Sequence, residues 1–166
     1  MTKERYIRMT SRMCAVTERL PFGAAALRLP TYLCAAAYMA SLFHLMLTRD
    51  ARLVRALAVP AACFFLVTLL RPLIGKQRPY DRYHAMPVGD YEPGKGKSMP
   101  SRHTASAAAI AFAAIWVYPT WPVALCMLLL CAVIATLRVL CGQHDVSDVL
   151  AALLLSAAVS AVGYMI

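Results

Sequence analysis

Five apolar stretches separated by polar connections set the layout of this chain, covering about 30–48, 54–74, 104–117, 122–137 and 148–166. A helix needs roughly 20 mostly apolar residues to cross bilayer hydrocarbon, so each stretch predicts a transmembrane helix. Residues 1–20 follow another pattern. Tyr6, Met9, Met13, Val16 and Leu20 recur at helical spacing, with Lys3, Arg5, Arg8, Arg12 and Arg19 elsewhere. This predicts an amphipathic helix inside an N-terminal segment, residues 1–28. Two placements suit it equally: flat in the interface with arginines on lipid phosphates, or packed against the bundle. The expected fold class is all-α, a polytopic membrane helix bundle of five transmembrane helices plus an N-terminal amphipathic interfacial helix. It forms a single domain over residues 1–166.

The connections are informative too. Residues 75–102 are punctuated by Pro79, Pro87, Gly89, Pro93, Gly94, Gly96 and Pro100, which predicts a long loop. Tyr118-Pro119-Thr120-Trp121 reads as a tight turn, and Trp116, Tyr118 and Trp121 mark one interface. The last three stretches are rich in Ala and Ser, which lets helices approach closely. Counting spans, the second ends, the third begins, the fourth ends and the fifth begins on one face. That face therefore gathers three polar clusters: Arg71-x6-Arg78-Pro79, Pro100-Ser101-Arg102-His103 and Arg138-x5-His144-x3-Asp148. Ionisable groups at span ends are costly to desolvate, so a functional site is their default reading.

Composition agrees with a membrane setting. The 166 residues are 61% hydrophobic and 15% charged, whereas a soluble domain carries roughly 25% charge. The net charge of +9, from 17 Lys and Arg against 8 Asp and Glu, suits anionic headgroups or phosphorylated lipid. No basic and aromatic surface pattern points to nucleic acid. Five of the six cysteines fall in or beside apolar segments and none forms a C-x-x-C pair, so they read as small buried hydrophobes. The start of the chain, with Glu18, Arg19 and Pro21 after its basic residues, does not read as a cleavable signal peptide.

The clustered residue types suit a phosphoryl group. Arginine offers a planar, permanently charged fork for two oxygens, so Arg71, Arg78 and Arg138 can hold phosphate. Arg71 and Arg78 stand two turns apart if the helix continues, with Pro79 then stopping it. Ser101 and free N–H groups at a helix start add donors, although Pro100-Ser101 also suits an ordinary helix beginning. His103 is placed to protonate a leaving oxygen. His144 and Asp148 are four apart, so the carboxylate can hold one ring nitrogen while the other attacks phosphorus. A phosphohistidine intermediate follows. Asp145 is a solvated alternative partner that the spacing disfavours.

This three-part pattern resembles the type 2 phosphatidic acid phosphatase (PAP2) superfamily, which includes vanadium haloperoxidases. The family shows K-x6-R-P, P-S-G-H and S-R-x5-H-x3-D, and the resemblance covers residues 71–148. It implies a lipid phosphatase without metal or cofactor, with catalytic residues His144, His103 and Asp148. Arg71, Arg78, Ser101 and Arg138 would bind phosphate, and Arg102 adds a further headgroup contact. Three positions depart from the family: Arg71 replaces Lys, Arg102 replaces Gly and Leu137 replaces Ser. The family's usual six spans are also reduced, with the amphipathic start standing where a first span would be.

Other features carry less. Gly96-Lys97-Ser98 lacks the earlier glycine and strand of a P-loop. Lys76, Lys95 and Lys97 read as solvated loop residues before substrate guides. His84 reads as an exposed loop histidine and His44 as a packed or interfacial one. The expected partners are a phosphorylated lipid substrate and membrane lipids, with no nucleic acid; a homo-oligomer is compatible with the sequence. The substrate class is phosphatidic acid, phosphatidylglycerol phosphate or a polyprenyl diphosphate. The family places its site on the non-cytoplasmic face of the cell membrane. The arginines of the 49–55 connection agree, and those of the N-terminal helix do not. The alternative function is a non-catalytic transporter or binder of anionic lipid, which has no need of His103 and Asp148.

Overall fold

The computed structural model describes residues 2–89, 91 and 97–165. Its elements are α1 (Lys3–Glu18), a 3-10 turn (Gly23–Arg28), α2 (Leu29–Leu47), α3 (Arg52–Ile74), α4 (Pro79–Tyr83), α5 (Arg102–Val117), α6 (Trp121–Leu140) and α7 (Val146–Met165). Among the described residues the fold is all-helical, and four helices, α2, α3, α6 and α7, are long and apolar enough to cross a membrane. Their outward faces expose Phe43, Phe65, Leu69, Leu128 and Leu154. So much exposed apolar surface marks contact with lipid. The chain is an integral membrane protein.

The central element is α5, which packs against α2, α3, α6 and α7. Its sequence explains why: Ala105, Ala107, Ala108, Ala109, Ala111, Ala113 and Ala114 are all buried, and such small side chains let four neighbours close in. One core cluster joins Ala107, Ala108 and Ala111 to Cys34, Met127, Cys131 and Ile134. A second joins Ala105 and Ala109 to Cys63, Val67 and Ala152. The α3–α7 crossing is close as well: a Cβ at Gly163 would lie 2.5 Å from Val59 Cγ2.

Two local expectations need correction. First, α3 stops at Ile74, because Gly75 adopts φ +62° and its N–H returns to the Arg71 carbonyl. A left-handed glycine is a common helix terminator. Arg71 and Arg78 therefore do not share a helix, and Pro79 opens α4 instead of stopping α3. Second, the buried face of α1 is Tyr6, Thr10 and Thr17, whereas Val16 is half exposed. The helix packs against the 3-10 turn and α6. Tyr6 is fully buried, and its hydroxyl donates to the carbonyls of Gly142 (3.2 Å) and Ala85 (3.4 Å). Gly142 has φ +73°, and a Cβ there would meet Tyr6 Oη at 2.5 Å.

Candidate active site

The end of α3, the start of α5, the end of α6 and the start of α7 meet, stitched by main-chain hydrogen bonds. Ser98 N–H donates to the Lys76 carbonyl (2.8 Å), Ser101 N–H to the Asp148 carbonyl (3.1 Å) and His144 N–H to the Arg138 carbonyl (3.1 Å). The first two bonds join separate polar segments and the third closes the turn between α6 and α7, so the helix ends are held in one register before any side chain acts. Inside the expected loop, Asp90 and residues 92–96 lie outside the described residues. The expected guiding residue Lys95 is among them.

His144 precedes α7 and Asp148 sits in its first turn. Both are buried, at 3% and 0% exposure. His144 Nδ1 faces Asp148 Oδ2 at 3.6 Å. The carboxylate is held on every side. Oδ2 accepts from the Asp145 N–H (3.0 Å) and from the Ser98 hydroxyl (2.5 Å), and Oδ1 receives Lys76 Nζ (2.5 Å). Lys76 also donates to Ser147 Oγ at 2.8 Å. Burial pushes the His144 pKa below the ordinary imidazole range. Its approach to Asp148 works against that shift, and the charges of Arg78 and Arg71 add to it. At neutral pH the ring is therefore uncharged, the form in which a nitrogen lone pair is free.

Arg71 is buried, and its guanidinium donates through Nε (2.9 Å) and Nη2 to the Lys97 carbonyl. Arg78 stacks over the Tyr80 ring with its guanidinium carbon 5.5 Å from the centroid. Its Nε is buried without a hydrogen-bond partner among the described residues. Arg138 donates to Gln143 Oε1 at 2.5 Å, and Gln143 in turn donates to the Val88 carbonyl, tying the 84–89 segment to the same end. Ser101 is fully buried at the start of α5, where its oxygen accepts from the Thr104 hydroxyl at 3.1 Å. Its side chain makes no cap bond to the helix.

Arg102 and His103 differ from this set in being exposed. They open α5 and line a cavity of about 290 Å³ walled by Thr31, Cys34, Phe64 and Ser106. The cavity is apolar apart from its arginine, histidine and hydroxyls.

Sequence reasoning missed three participants. Lys76, expected to be a solvated loop lysine, is the counter-charge of Asp148. Ser98, set aside with the rejected P-loop pattern, contacts both His144 and Asp148. Asp145, expected to be solvated, is 9% exposed and pairs with Arg82 (2.7 Å) and Lys76 (3.4 Å). The periodicity of a loop carries no signal for such pairings; only its polar residues hint that it folds back. His44 is exposed and pairs with the Tyr118 hydroxyl, and His84 caps α4 in a left-handed conformation.

The arrangement can bind an oxyanion among arginines beside a neutral, carboxylate-backed imidazole. The PAP2 superfamily model matches residues 52–166, more than half of the chain, and the chain belongs to that superfamily. Its fold is similar to the crystal structure of a transmembrane PAP2-type phosphatidylglycerolphosphate phosphatase from Bacillus subtilis. The two share 20% identity with a TM-score of 0.68, over 99% of this chain and 87% of the other. No curated protein sequence matches the chain.

Proposed function

We propose that this protein is a membrane-embedded lipid phosphatase that works through a phosphohistidine on His144. Arg71, Arg78 and Arg138, with Ser101 and Arg102, bind the phosphate, and Asp148 orients the ring. Nε2 of His144 attacks phosphorus as the bond from phosphorus to the lipid oxygen breaks, and His103 gives its proton to that oxygen. Water then attacks the phosphohistidine and gives a proton to His103. Inorganic phosphate leaves and both histidines return to their starting state. No metal takes part in this scheme.

One observation carries this reading: a buried imidazole, neutral at pH 7, has Nδ1 towards a fixed carboxylate and Nε2 turned away from it. The unpartnered Nε of Arg78 supports it. A buried donor left unsatisfied costs roughly 1–3 kcal/mol, which a phosphate oxygen recovers on binding. A largely apolar cavity that Arg102 and His103 also line suits a substrate with an anionic head and a hydrocarbon tail. The Bacillus neighbour acts on phosphatidylglycerolphosphate, which supports a glycerophospholipid monoester over a polyprenyl diphosphate. In the membrane, the whole chain forms one domain, and the 16-residue α5 serves as a fifth span shielded by the four longer helices. The site faces the non-cytoplasmic side of the cell membrane.

The test is phosphate release by protein purified in detergent, with EDTA present. Phosphatidic acid, phosphatidylglycerol phosphate and a polyprenyl diphosphate are the substrates. Turnover that depends on His144 is expected, and full turnover by His144→Ala rejects the mechanism. Lipid binding without any phosphate release would make the chain an anionic-lipid binder instead.

A further inference from the structure

His144 and Asp148 do not bond directly. His144 Nδ1 and Asp148 Oδ2 are 3.6 Å apart, beyond the range of about 2.7–3.2 Å for an N–H···O bond. The Ser98 hydroxyl stands beside the gap, within reach of both groups. It donates to Asp148 Oδ2 at 2.5 Å, and its oxygen lies 3.3 Å from His144 Nδ1. Ser98 and Asp148 are fully buried, so water does not compete for either contact.

The hydroxyl is also fixed in place. Ser98 N–H is tied to the Lys76 carbonyl, and the preceding carbonyl, that of Lys97, takes both bonds from Arg71. Lys76 then returns through its ammonium group to the far oxygen of Asp148. Main chain and side chain of Lys76 thus clamp both ends of the Ser98–Asp148 contact.

A serine hydroxyl has one proton and two lone pairs. With the proton committed to Asp148, a lone pair is left for His144 Nδ1. Only the tautomer with hydrogen on Nδ1 can use it, and in that tautomer Nε2 has its lone pair exposed. We infer that Ser98 is a positioning residue for His144, a hydroxyl bridge that transmits the hold of Asp148 to the imidazole. This inference rests on the phosphohistidine reading. As the Nε2–P bond forms and the P–O bond breaks, the ring keeps its Nδ1 hydrogen and becomes cationic. The bridge stabilises that cation through its contacts to both groups, and no proton leaves Ser98.

The experiment uses the full chain in detergent with phosphatidic acid in mixed micelles, comparing Ser98→Ala, Ser98→Cys and Ser98→Thr with His144→Ala. Ser98→Ala is expected to lower kcat about 10- to 100-fold with KM within about two-fold, because the effect falls on the step and not on binding. Ser98→Thr, which keeps the hydroxyl, recovers kcat to within about three-fold, and Ser98→Cys, a weak donor, stays well below it. Size-exclusion elution checks the fold. A wild-type kcat in Ser98→Ala, a change confined to KM, or equal kcat in the Thr and Cys variants would overturn the bridge. Should Ser98→Ala fail to fold, the Thr–Cys ratio decides. Loss of turnover in His144→Ala with a normal Ser98→Ala refutes the bridge alone. Retained turnover in His144→Ala refutes the phosphohistidine reading itself.

Discussion

The two ends of the helix bundle use the same residue types to opposite effect. At one end Asp50 grips Arg52 at 2.6 Å, Arg52 donates to the Val117 carbonyl at 2.8 Å, and His44 meets the Tyr118 hydroxyl at 2.8 Å. Asp50 and Arg52 are two residues apart and both are reached by water. At the other end the Ser98–His144 and Lys76–Asp148 contacts join residues 46 and 72 positions apart, and Ser98, His144 and Asp148 are buried. A solvated pair close in sequence trims a turn and is worth little. A carboxylate pulled out of water must be satisfied completely, and here it holds an imidazole while being satisfied. Desolvation, and not the presence of histidine, aspartate and a cation, separates a site from a surface.

Variants can break or sharpen this contrast. The largest effect is expected from His144→Ala, which should lower phosphate release by about a thousand-fold or more, since a nucleophile has no substitute. Asp148→Asn should cost about a hundred-fold or more, because it keeps the shape but not the charge that backs the ring; a rate near wild type would leave the carboxylate with a structural role only. Acidity gives a third measure. In the proposed mechanism the neutral form of His144 attacks, and its pKa is lowered, so kcat/KM should hold steady as pH falls through about 6.5 and decline only below that. An acid limb centred above the ordinary imidazole value would contradict the burial of this ring.

Smaller effects follow. Lys76→Met leaves the Asp148 carboxylate without its counter-charge. A fully buried pair broken this way loses about 3–5 kcal/mol, and Lys76 keeps a quarter of its side chain in solvent, so a loss of about 2 kcal/mol in unfolding stability is expected. At the opposite end, Asp50→Asn should leave kcat unchanged within about 1.5-fold. A marked loss there would show that the two ends are coupled.

The spans were legible because lipid-facing helices must be apolar along their length, and α2, α3, α6 and α7 begin and end within about three residues of their expected limits. The His144–Asp148 pair was legible because its members are neighbours in the chain. Ser98 and Lys76 were not, since nothing local to either residue reveals a partner 50 or 72 positions away. The stop of α3 was legible as well, since Gly75 directly after an apolar run ends a helix; a helix continued to Arg78 does not fit that stop. On α1 the repeat of Met and Val suggested the wrong buried face. The one residue that anchors the helix, Tyr6, was counted among the apolar positions when its hydroxyl mattered as much.

That phenol has a consequence for how the molecule can be divided. The family match begins at Arg52, yet the notch beside Gly142, two residues before His144, is filled from Tyr6. A fragment starting at Arg52 would retain every motif residue and still present a hole close to His144. The first helix is thus a plug for machinery it does not encode, and shortening the chain from its beginning should loosen the far end first.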